Sequence, residues 1–331
     1  MNTRCSHRLS QISLAHTSSR FIAIGTLISS LSDHVKAMPF SALFHLSPPP
    51  PTFTPDLLID LSTKVYIITH CSHPTNLSLA HILYALHATI HIGTPNLPAY
   101  NTIATQLRTR HPDSKGTLKS FIYAVEDLSS TKRAVQGFLE EESRLDVLFL
   151  DTATEDVLQS FLLAKLLSPV MRTTASHFCH VNPSIRVVWI ANSDTYRLRL
   201  NECGDKLYQL AHEFAQRSHH DVDELYAHGL RNRNPEGVQH VVVDHTLPYR
   251  GARRVVRCWM SWLQSTRYIA YTLLYAGLGP DVRSGDWIIP WGRKGNVPDD
   301  VVMCTKWKES EGKRPSQTLY DMCEKNMKPL R

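Results

Sequence analysis

Seven residues, His70-Cys71-Ser72-His73-Pro74-Thr75-Asn76, separate the apolar run Val65-Tyr66-Ile67-Ile68-Thr69 from a helix-forming run that begins at Leu77. A strand, a tight turn and a helix in this order form the unit that holds the pyrophosphate of a dinucleotide, whose charge rests on backbone N–H groups at the open helix start. That chemistry asks for glycines, because only a turn free of Cβ atoms lets the backbone approach a phosphate closely. Here His70, Pro74 and Asn76 stand where the glycines would be, and no glycine occurs between Gly25 and Gly93. Pro74 also removes an N–H that a phosphate would use.

Two other constellations carry possible chemistry. His177-Phe178-Cys179-His180 gathers three potential zinc ligands, but no fourth lies at useful spacing, and in a chain with 18 histidines some clustering is expected. The expectation is no metal site there, and less still at His219-His220. Arg250, Arg253, Arg254 and Arg257, interleaved with Trp259 and Trp262, have the makeup of a nucleic-acid grip, in which cations hold phosphates and aromatic rings stack on bases.

The elements that must position these residues are legible from periodicity. Apolar β-branched runs at Val65–Thr69, Thr89–Gly93, Leu118–Val125, Asp146–Leu150, Ile185–Ala191 and Val238–Val243 predict strands. Between them, Leu77–Ala88, Ala99–Arg110, Ser129–Ser143, Glu155–Met171 and a stretch from about Gly204 to Arg217 predict helices. Such alternation implies an α/β fold, a doubly wound parallel sheet covered by helices on both faces.

Composition sets the frame. The chain has 331 residues, 42% hydrophobic and 20% charged, which is ordinary globular material and enough for one large domain. Its net charge of +6 would suggest a polyanion partner, yet the excess lies at the two ends, within the first 44 residues and within residues 306–331. A neutral middle argues against nucleic acid as partner. The seven cysteines are odd in number, widely spaced and without a C-x-x-C pair, which fits a reducing, cytoplasmic compartment. No run of about 18 apolar residues predicts a transmembrane segment. Residues 1–44 form a leader or extension, ending near the stiff Pro48-Pro49-Pro50-Pro51. Three arginines precede its first acidic residue, Asp33, so residues 1–37 also look like a mitochondrial targeting segment. The expected domain is 45–331.

Several blocks make the chain resemble the short-chain dehydrogenase/reductase family, in particular its retinol-dehydrogenase-like branch found in filamentous fungi. They include His111-Pro112-Asp113-Ser114-Lys115-Gly116, Glu142 to Phe149, Arg186-Val187-Val188-Trp189, and Tyr275 to Pro280 with Ser284 to Arg293. The resemblance implies a Rossmann-like fold, an NAD(P) cofactor and oxidoreductase chemistry on a carbonyl or alcohol. It further implies a hydrophobic small-molecule substrate under a lid-like segment at about 247–275, a possible homo-oligomer, and a place in specialised metabolism. In this view Trp259, Met260, Trp262 and Leu263 line the lid, which displaces the nucleic-acid reading.

Set against the family's motifs, the contact residues depart. Of Thr-Gly-x-x-x-Gly-x-Gly only Thr69 remains, as the one cofactor-binding residue. The adenine-contacting acid falls on Ala124, the phosphate-clamping arginine on Pro95, and Asn-Asn-Ala-Gly reads Leu150-Asp151-Thr152-Ala153. None of the twelve tyrosines has lysine four residues later, so the Tyr-x-x-x-Lys pair, aligned at Leu200 and Gly204, is missing. The carbonyl-polarising serine falls on Asn192, with Ser193 beside it. The catalytic substitutes are therefore Ser193 and Tyr208, the latter four residues from His212 and near Lys206; Tyr249 with Arg253 has the same spacing on another element. The alternatives to an active enzyme are an inactive binding or scaffold protein of the same fold, a decayed gene product, and altered exon edges near residues 193–204.

Overall fold

The computed structural model describes residues 50–125, 127–151, 157–178, 185–191, 210–214, 237–244, 266–297 and 315–327. Chain contacts define two units, Pro49–Thr246 with Gln264–Arg331, and Met1–Pro48 with Leu247–Leu263. The second unit lies outside the described residues, and with it the expected leader and most of the lid-like segment. Everything below concerns the first, one α/β domain.

In chain order its elements are β1 (Val65–Ile68), α1 (Pro74–Ala85), β2 (Thr89–Thr94), α2 (Leu97–Arg110), β3 (Thr117–Ile122), α3 (Leu128–Glu141), β4 (Val147–Asp151) and α4 (Val157–Phe178). After these come β5 (Arg186–Ala191), β6 (Gln239–Asp244), α5 (Thr266–Leu278), β7 (Trp287–Ile289), β8 (Arg293–Gly295) and α6 (Pro315–Met327). The eight strands form one sheet in the order β3-β2-β1-β4-β5-β6-β7-β8, parallel except for the antiparallel β7–β8 pair. The doubly wound expectation is thus borne out. The order reverses between β1 and β4, which opens a crevice at their carboxyl ends.

Strand side chains alternate between two apolar layers. Ile67, Leu148, Leu150, Val187 and Trp189 face a core closed by α3, α4, α6 and helical residues 210–214. Tyr66, Ile68, Phe149, Val188 and Ile190 face the other, closed by α1, α2 and α5. Burial on both faces explains why these strands read as unbroken apolar runs. In the second layer α5 comes very close to β4: a Cβ on Gly277 would lie 2.6 Å from Cζ of Phe149.

Element boundaries follow local chemistry more than periodicity. α1 starts at Pro74, three residues before the apolar run, because proline suits the first helical position and has no N–H to leave unpaired. α2 starts at Leu97 because the Asn96 side chain caps it, accepting from Ala99 N–H at 2.9 Å. α3 is capped by Asp127, which accepts from Ser129 and Ser130 N–H, so it starts at Leu128 and not at Ser129. α4 runs through Pro169 to Phe178, seven residues beyond the expected end.

Candidate functional site

The crevice is lined by the end of β1, the turn to α1 and the end of β4. Thr69 is fully buried. Its N–H donates to Phe149 C=O at 3.0 Å, and its hydroxyl oxygen accepts from Asp151 N–H at 2.7 Å. The one retained turn residue therefore ties β1 to β4 beyond their ladder, with its hydroxyl engaged inside the protein.

The next residue, His70, has φ +44, the left-handed conformation a glycine would hold without cost. The backbone geometry of the turn has survived its sequence. A non-glycine residue there is strained by about 1 kcal/mol. The imidazole lies edge-on to Tyr123, with ring centroids 6.0 Å apart, and so spans from the β1 turn to the end of β3. On the far side Gly93 lets the turn approach β2: a Cβ there would lie 2.7 Å from Ile68 O and 2.8 Å from Thr69 Cα.

Two backbone donors of the turn are spent internally and a third is absent. Cys71 N–H donates to Gly93 C=O at 3.0 Å, His73 N–H donates to His70 C=O at 3.0 Å, and Pro74 has none. The Cys71 side chain is fully buried, and this burial pushes its thiol up to about 12, so it is a packing group and not a nucleophile.

Asn76, at the third glycine position, is completely buried inside the turn. Its side-chain amide donates to Thr69 C=O and His70 C=O, both at 3.2 Å, and to Asp151 Oδ2 at 2.7 Å. Asp151 is itself buried at the end of β4. Its carboxylate thus meets the Asn76 side chain in the first turn of α1, whose dipole favours an anion.

The adenine end is equally occupied. Ala124 N–H donates to Ser130 Oγ at 2.9 Å, and Ala124 C=O accepts from the Gln159 side chain at 2.8 Å. Pro95 is exposed just past β2 and offers no charge. The residues present do not fit a dinucleotide at this turn: Cys71 and His73 N–H are used, Pro74 has none, and the space of the third glycine is filled by the Asn76 side chain.

Of the expected catalytic substitutes, Ser193 and Tyr208 lie outside the described residues, as do Lys206, Leu200, Gly204, Tyr249 and Arg253. His212 falls in helical residues 210–214 and is half-buried. Cys179 and His180 are also outside the described residues; His177 lies near the end of α4, 2.9 Å from Thr173 C=O. Among the described residues no three His, Cys, Asp or Glu side chains gather as metal ligands, and no helix is long and apolar enough to cross a membrane. What sequence reasoning missed is the pairing of Asn76 with Asp151. Each was visible as a departure from a motif. The signal that joins them is that Asn76 opens the helix after β1 and Asp151 ends β4, the two strands flanking the crevice.

Known proteins bear out the resemblance. The chain is 26% identical over 323 residues to a short-chain dehydrogenase/reductase of Phomopsis amygdali, covering 85% of this chain and 95% of that protein. It is 24% identical over 336 residues to the short-chain dehydrogenase/reductase bet4 of Neocamarosporium betae, covering 88% and 94%. No family model matches. Among solved structures, a hydroxysteroid dehydrogenase from Escherichia coli superposes with a TM-score of 0.49 at 13% identity, covering 72% of this chain and 98% of that one.

Proposed function

We propose that this relative of the short-chain dehydrogenases/reductases descends from NAD(P)-dependent oxidoreductases of carbonyl or alcohol compounds and, as encoded, no longer takes the cofactor in its crevice. It serves instead as a binding or scaffold protein for hydrophobic small molecules of specialised metabolism. One observation carries the reading: the Asn76 amide fills the turn and holds the Asp151 carboxylate at the start of α1. A phosphate arriving there meets a buried like charge and finds Cys71 and His73 N–H already bonded. The absence of any Tyr-x-x-x-Lys pair from the sequence points the same way, since the proton donor and the cofactor site are lost together.

A second reading, an active oxidoreductase, is favoured by the similarity spanning 85% of the chain to proteins named for that activity. Titration of the purified chain with NADPH and NADH separates the two. The proposal expects no change in cofactor fluorescence and no rise in melting temperature at millimolar cofactor; a saturable rise would overturn it, because ligand that binds the native state stabilises it. Placing the proton-transfer pair back, as Leu200→Tyr with Gly204→Lys, is expected to restore no turnover, because the turn remains closed. The homo-oligomer expectation is checked by sedimentation against the 37.6 kDa of one chain.

A further inference from the structure

The turn between β7 and β8 holds a bulky aromatic residue in a conformation that such residues avoid. Trp291 has φ +72, and Gly292 after it has φ +69. A left-handed conformation is unremarkable for Gly292 and strained for Trp291.

The surroundings fix that conformation firmly. The fully buried Thr272 hydroxyl on α5 accepts from Trp291 N–H at 2.8 Å and from Gly292 N–H at 3.2 Å, while donating to Tyr268 C=O at 3.1 Å. One hydroxyl thus binds the strained turn to the first turn of α5. The indole stands against the Tyr268 ring, with centroids 5.1 Å apart and planes at 52°, and Tyr271 continues the aromatic surface 6.2 Å beyond Tyr268. Both Trp291 and Tyr268 are half-buried, so the pair reaches the surface.

Among the described residues the indole N–H is a buried donor without an acceptor. Buried donors in folded proteins nearly always have partners, and one held open by a strained, doubly anchored backbone is a positioned group lacking its counterpart. An indole N–H only donates, so its counterpart must bring an acceptor atom. Because β7 runs parallel to β6, this turn lies at the same edge of the sheet as the crevice, three strands further from β4.

We propose that Trp291 and Tyr268 form a binding site for a flat apolar organic molecule carrying a single acceptor oxygen, such as an aromatic ketone, with the oxygen on the indole N–H and the rings against the two side chains. The site lies apart from the β1–β4 turn and uses no nucleotide. It deepens the proposed reading by assigning a place to the hydrophobic ligand, and it stands or falls without the cofactor result.

Fluorenone and fluorene share one flat skeleton and differ by the carbonyl oxygen, which makes them the probes of choice. Equilibrium dialysis against the full chain, with no cofactor present, is expected to show saturable fluorenone binding and about tenfold weaker fluorene binding, the worth of one hydrogen bond. Trp291→Phe keeps a ring and deletes the donor, and should bring the two compounds to equal affinity. Tyr268→Ala should weaken both. Equal binding of the two compounds to the unaltered chain, absence of saturation, or a preference for fluorenone that persists in Trp291→Phe would overturn the proposal. The comparison on the unaltered chain needs no variant to fold.

Discussion

A carboxamide sits where a glycine would contribute a hydrogen atom, and most of the site's character follows from that exchange. Asn76 binds two carbonyls and a buried carboxylate at once. Asn76→Ala should therefore cost about 2 kcal/mol of unfolding free energy in denaturant titration, the loss of a hydrogen bond to a charged partner. Asn76→Asp is more telling. It sets two carboxylates against each other in place of the 2.7 Å amide–carboxylate contact, and they cannot both ionise there. The variant should be markedly less stable than the parent in denaturant titration at pH 7. Thr69→Val removes the acceptor of Asp151 N–H and should cost about 1 kcal/mol or more, which Thr69→Ser largely restores. Cys71, with its thiol pushed up to about 12 by burial, should resist alkylation in the native chain at pH 8 and react only on unfolding.

Between elements, the most demanding join is that of α5 to the sheet. It combines a close approach with a buried cation. Gly277→Ala drives a methyl into the Phe149 ring and should destabilise by about 1–3 kcal/mol through overpacking, read as a lowered melting temperature. Arg186, nearly fully buried at the start of β5, donates to the Gln239 side chain, to the carbonyl of Ala276 in the last turn of α5, and to those of Gly279 and Val282 just beyond it. The guanidinium both satisfies carbonyls that α5 leaves unpaired and answers the negative end of its dipole. Arg186→Lys keeps the charge but not the fork, so a fall in melting temperature of several degrees is expected despite the conserved sign. Strands and helices were readable from apolar periodicity because both faces of the sheet are covered. Their ends were not, since Pro74, Asn96 and Asp127 set them by capping chemistry. The β7–β8 hairpin escaped periodicity because strands of three residues carry too little pattern.

For the molecule as a whole, acid is the informative perturbation. His81 on α1 and His111 after α2 share one hydrogen bond at 3.2 Å. Burial, helped by the neighbouring His111 and Arg110 charges, lowers His81 to about 4, and burial with Arg110 lowers His111. The unfolded chain protonates His81 near pH 6.5 and the folded chain only near pH 4, with His111 shifted in the same direction, so the unfolded state holds more protons in that window. The contribution is fully present above about pH 6.5 and is lost as pH falls toward 4. Denaturant midpoints measured across this window should decline, and His81→Gln should flatten the decline.

The sequence by itself determined the architecture, because alternating apolar runs and helical periods leave a two-faced parallel sheet as the only way to bury them. It also determined that the motif residues at positions 70, 74 and 76 had changed, and that Thr69 alone was kept. Tertiary structure decided what those changes mean. Asn76 and Asp151 are 75 residues apart in the chain and 2.7 Å apart in space. A hydrogen bond between residues that distant leaves no trace in local pattern, since either one alone reads as a missing contact. Only the pairing of β1 with β4 brings them together, and that pairing turns two apparent losses into one closed site.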